Sequence, residues 1–127
     1  MKRRSGSLPS YIILFVFIAA SLVANPMKNA SADIERALLR EKPLGTTKAQ
    51  IERWLMQEKR LNPSSSQVGF LRQDPPPSRV VGVSSIKAKL GEYRRFPFQR
   101  VSIVAYWGFD EKDELIEVWV WKTIDAL

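Results

Sequence analysis

The sequence predicts an α+β domain: two N-terminal helices packed on one face of a three-stranded antiparallel meander sheet. Three observations lead there. Apolar residues recur at helical spacing in two early stretches, 33–40 and 48–58. They alternate with a period of two further on, most clearly at 101–109 and 115–122. The helical patterns precede the strand patterns instead of interleaving with them, which separates helices from sheet.

In the first helical stretch Ile34, Ala37 and Leu38 share a face, with Asp33 and Glu35 early and Arg40 late, as the helix dipole favours. Pro43 stops it. Thr47 and Gln50 then have the spacing of a capping box, which predicts a second helix over 48–58. Its Ile51, Trp54 and Leu55 form one apolar stripe, while Glu52, Arg53, Gln57 and Lys59 face away. Trp54, in the middle of that stripe, reads as a core residue.

Residues 61–79 carry Pro63, a run of three serines and a run of three prolines, which predicts a long loop. Within it Val68, Gly69, Phe70 and Leu71 make a small apolar island, either pinned to the core or held out for a partner. A strand follows. Val81 and Val83 alternate in one phase and Ile86, Ala88 and Leu90 in the other, which places a change of face near Ser84 and Ser85.

Gly91 and Pro97 bracket a basic and aromatic connection at 92–96. In the next strand Val101, Ile103, Ala105, Trp107 and Phe109 take one face, and Ser102, Val104 and Tyr106 the other. A charged turn at 110–114 joins it to the last strand, so the two should pair as an antiparallel hairpin. There Ile116, Val118 and Val120 share one face and Leu115, Glu117, Trp119 and Trp121 the other. Both faces are largely apolar, so an aromatic sheet face remains either to be buried in a homodimer or to meet a partner.

Residues 1–32 have the order of an export signal: Lys2, Arg3 and Arg4, then an apolar run at 11–24, then Ala30, Ser31 and Ala32. Cleavage after Ala32 or between Ala20 and Ala24 fits that pattern. The run is roughly 14 residues against the ~20 a bilayer core requires, so an uncleaved anchor would need its flanks stretched. Residues 33–127 then form a single domain with one modest core, placed in the periplasm, the cell envelope or outside the cell.

With no cysteine, that domain folds without disulfides. The formal charge of the chain is +7, but Lys2, Arg3, Arg4 and Lys28 all precede residue 33, leaving +3 beyond it. That is a mild excess, and no nucleic-acid partner is expected. A membrane is expected only through an uncleaved leader.

Residues 44–55, LGTTKAQIERWL, together with Tyr106-Trp107-Gly108-Phe109-Asp110 and Leu115-Ile116-Glu117-Val118, resemble the small outer-membrane-assembly lipoprotein family, SmpA/OmlA or BamE-like. The resemblance implies a two-helix, three-strand fold used by envelope assembly factors and by secreted inhibitory modules. Two departures stand out: the lipidated cysteine of that family is missing, and a Pro- and Ser-rich insertion follows the second helix.

The chain has no histidine, which removes Ser-His-Asp and Cys-His nucleophilic arrangements and leaves only carboxylates as metal ligands. Asp110, Glu111, Asp113 and Glu114 read as a solvated turn; they lack the glycine and spacing of a calcium loop. No glycine-rich phosphate cradle follows a strand. The expectation is a non-enzymatic module without cofactor or metal that binds an envelope or extracellular protein. Candidate contact residues are Tyr106, Trp119 and Trp121 on the sheet, Phe70 and Leu71 in the loop, and Arg94 and Arg95. The alternative is a secreted inhibitor or anionic-ligand-binding domain using the basic 87–100 segment.

Overall fold

A computed structural model describes residues 30–126. Helix α1 spans Ser31–Glu41 and α2 spans Lys48–Arg53, with a wider π-helical turn at Trp54–Glu58. The capping box is formed at both ends: the Gln50 amide donates to Thr47 Oγ1, and the Thr47 amide donates to Gln50 Oε1. The wide turn closes with the Lys59 amide on the Trp54 carbonyl and the Leu61 amide on that of Leu55. This turn keeps Trp54 and Leu55 pointing inward and draws Lys59 under them. Lys59 Nζ lies 3.3 Å from the Glu41 carboxylate and 5.5 Å from the centre of the Trp54 ring, tying α1 to the second helix.

The expected three-stranded meander is not what forms. Among the described residues the six strands are β1 (Ser64–Ser66), β2 (Phe70–Arg72), β3 (Arg79–Val81), β4 (Ser84–Arg95), β5 (Gln99–Phe109) and β6 (Leu115–Ala126). They build an antiparallel four-stranded sheet of order β1-β4-β5-β6 and a separate two-stranded sheet, β2-β3, so the described residues are mostly sheet. The additional strands come from the stretch expected to be loop. Ser64 to Ser66 pair with Lys87 to Ser85, and Phe70, Leu71 and Arg72 pair with Val81, Val80 and Arg79.

Serine has neither a β-branched side chain nor an apolar pattern to mark a strand, and a three-residue strand is too short to show periodicity. The proline run lies between β2 and β3, at a turn where no ladder amide is required. The single strand expected from Val81 onward is two strands in different sheets. The break is Gly82, at φ +79, where an added Cβ would stand 2.8 Å from the backbone N and O of Phe109. Residues 92–95, expected as connection, continue β4, past an irregularity between Lys89 and Gly91, and only 96–98 turn.

The core lies on one face of the larger sheet. Ile86, Ala88 and Leu90 of β4, Ile103, Ala105, Trp107 and Phe109 of β5, and Val118 and Val120 of β6 meet Ile34, Leu38, Ile51, Trp54 and Leu55 from the helices. Trp54 meets Trp107 edge to face at 6.4 Å. A register shift between Gly108 and Phe109 rotates Leu115 onto this face, although alternation within β6 alone would put it on the other. Helix α1 runs alongside β6 in the opposite direction: Glu35 accepts the Val120 amide, while further on the Gly45 amide donates to the Leu115 carbonyl.

Candidate functional site

On the opposite face of the larger sheet, alternation brings Tyr106 of β5 next to Trp119 and Trp121 of β6. The rings form a continuous row, with centroids 5.2 Å apart for Tyr106 and Trp119 and 4.9 Å for Trp119 and Trp121. The β2-β3 hairpin folds over this row as a flap. Phe70 lies parallel to Trp119 at 5.9 Å and tilted over Tyr106 at 5.3 Å. Phe70, Val81 and Trp119 are thereby buried as a second, smaller core, with Tyr106 and Trp121 half-buried at its margin.

The flap is seated by steric fit and locked by charge. At Gly108 an added Cβ would stand 2.8 Å from Val81 Cγ1 and 3.0 Å from Phe70 Cε2, so the absence of a side chain there makes the seat. Glu117 of β6 bridges two arginines of the flap. Arg72 Nη1 donates to Oε2 at 2.7 Å, and Arg79 donates to Oε2 at 2.7 Å and Oε1 at 3.2 Å. Burial pushes the Glu117 carboxyl up, but the hydrogen bonds from Arg79 and Arg72 outweigh it and hold it below the usual range. Arg72 also lies over the Trp119 ring at 5.9 Å.

Beyond the flap the aromatic row ends at Trp121, which borders a cavity of about 260 Å³ between the start of α1, the end of β2 and β6. Its polar lining is Ser31, Glu35, Arg72, Asp74 and Lys122. Glu35 is partly buried there, and desolvation raises its carboxyl above the ordinary value despite the hydrogen bond from Val120 and the charge of Arg72. Burial lowers the Lys122 ammonium, which faces the Tyr93 ring at 5.6 Å.

The candidate residues of the sequence therefore separate into three places. Tyr106, Trp119, Trp121 and Phe70 come together, but Trp119 and Phe70 cover each other and are buried. Leu71 is exposed on the outside of the flap. Arg94 and Arg95 stand apart, exposed at the β4-β5 turn next to Phe96 and Phe98. Composition pointed neither to Glu35 nor to Glu117: one charge inside an amphipathic helix and one inside a strand look like solvated positions until the flap and the β6 edge are placed.

Of the carboxylates in the 110–114 turn, that of Asp110 serves the turn itself. Asp110 Oδ1 accepts the amides of Lys112 and Glu114 at 2.9 and 3.0 Å, and Asp113 adopts φ 61. Among the described residues no group of three or more carboxylates could hold a metal ion, and no helix is long and apolar enough to cross a membrane. The export-signal reading falls on residues outside those described, except for Ala30, Ser31 and Ala32, which open α1: the Ala30 carbonyl accepts the amides of Asp33 and Ile34. No protein-family model, curated protein or solved structure matches this chain.

Proposed function

We propose that the chain is an exported, non-enzymatic protein-binding module of the cell envelope, in keeping with the BamE-like motifs of its second helix and last hairpin. It would hold an apolar side chain of its partner against Trp121. The observation that carries this reading is the open end of the aromatic row. Phe70 satisfies Trp119, whereas Trp121 remains half-exposed beside a cavity that offers both carboxylates and cations. An aromatic anchor point bordered by hydrogen-bonding groups is the usual composition of an interface centre.

The flap gives that centre a fixed wall. Arg72 and Glu117 are held to each other across it, so little side-chain freedom is lost when a partner arrives. A peptide library displayed on phage and panned on the immobilised chain tests the reading. Enrichment of peptides with a shared apolar residue, abolished by Trp121→Ala but kept by substitution of the distant, exposed Ile116, is the expected result. Enrichment indifferent to Trp121, or none, would set the proposal aside.

A further inference from the structure

The β4-β5 turn carries an exposed pair of phenylalanines among arginines, a combination that neither the core nor the flap uses. Phe96 is 93% exposed and Phe98 71% exposed, the two largest values among the apolar side chains of the described core and surface. Arg94 and Arg95 are exposed beside them, and neither comes within salt-bridge distance of a carboxylate among the described residues, although the charge of Arg94 is felt by Glu92. Arg100, across the turn, is shared with Glu92 at 3.9 Å, while Glu92 is closer to Lys89 at 2.7 Å. Asp125, opposite Arg100 in the register, is the remaining acid near the turn. Cations therefore exceed anions there, around two rings that water surrounds.

We infer that this turn is a membrane-surface contact, with Phe96 and Phe98 entering the interface of an anionic phospholipid bilayer and Arg94 and Arg95 meeting its phosphates. Aromatic rings favour the depth of the headgroups, and basic residues close to the surface add attraction to anionic lipid. The excess of exposed cations over anions at the turn favours an anionic bilayer as its occupant. Ser31, at the start of α1, borders the same cavity as Lys122, and Lys122 pairs with Ile103. From Ile103 to Phe98 is five residues of strand, roughly 17 Å at the usual rise. The start of α1 and the turn thus lie toward the same end of the larger sheet.

Because the chain has no cysteine, one introduced thiol can be labelled alone. The full chain carrying Phe98→Cys with an environment-sensitive fluorophore is reconstituted into vesicles of phosphatidylcholine with phosphatidylglycerol, some lipids brominated near the headgroup. Leu44→Cys, exposed in the turn that follows α1, is the reference. The expected result is quenching by brominated lipid at position 98 and none at position 44. Arg94→Gln with Arg95→Gln should reduce the lipid-contacting population by about fivefold per cation removed. A label at 98 in water would overturn the inference, as would quenching equal in purely zwitterionic vesicles and indifferent to the two arginines. A label at 98 already shielded without vesicles would overturn it in favour of a second copy of the chain.

Discussion

Two glutamates on β6 and its covering helix do opposite things to stability as pH changes. Glu35 sits where burial disfavours its charge, so its folded pKa lies above the ordinary value of 4.5. The folded chain then holds more proton than the unfolded chain between those two values, and stability falls as pH rises through that window. Glu35→Gln retains an oxygen for the Val120 amide and removes the penalty. Urea midpoints should therefore coincide for the two chains at about pH 3.5 and favour the variant near pH 7. A variant less stable at neutral pH would show that the charge itself is needed.

Glu117 has the reverse sign, because Arg79 and Arg72 hold its folded pKa below 4.5. Its contribution is complete above the unfolded value and is lost as pH falls through the folded one. Glu117→Gln should cost about 1 kcal/mol at neutral pH, the size expected for a charge-assisted pair at a solvated margin. The difference should shrink in acid. Chemical denaturation across that range measures it directly.

At the scale of elements, the flap and its seat were the features hardest to read from sequence. Phe70 and Leu71 stood out as an apolar island, yet their strand partner, Val80 and Val81, looked like the beginning of the next long strand. The signal that joins them is Gly82, which supplies the positive φ between the two sheets, together with Gly108, whose bare Cα receives Phe70 and Val81. Neither glycine has meaning until the two strands are stacked. By contrast, the capping box of Thr47 and Gln50 and the pairing of β5 with β6 rest on spacing and alternation within a few residues, and both formed as the spacing implied.

The seat makes a prediction at this scale. Gly108→Ala drives a methyl group into Val81 and Phe70, which should lift the flap and cost about 1–3 kcal/mol. Amide exchange read by NMR should quicken at Phe70, Leu71 and Val81 while remaining slow at Leu38 and Ile103, which belong to the other core. Uniform acceleration would mean that the two cores open as one unit.

For the whole molecule, the larger sheet has two unlike faces. One is sealed by the helices, the other by a flap only six ladder residues in size, and the aromatic row under that flap ends at a half-exposed tryptophan. The two-sided apolar pattern of β6 left the second face an open question, and Trp119 and Trp121 suggested either a dimer or an exposed partner site. The structure supplies a third covering, from the chain itself, over Trp119 and Tyr106 but not over Trp121. That distinction depends on a hairpin whose strands are too short to leave a period in the sequence.

Calorimetric titration of a peptide enriched on the chain, repeated with Trp121→Ala and Ile116→Ala, addresses the binding surface most directly. A loss of about tenfold or more for Trp121→Ala, with Ile116→Ala unchanged, is the result expected of an anchor residue. Equal affinity for all three chains would contradict the assignment and leave the aromatic row as a second core only.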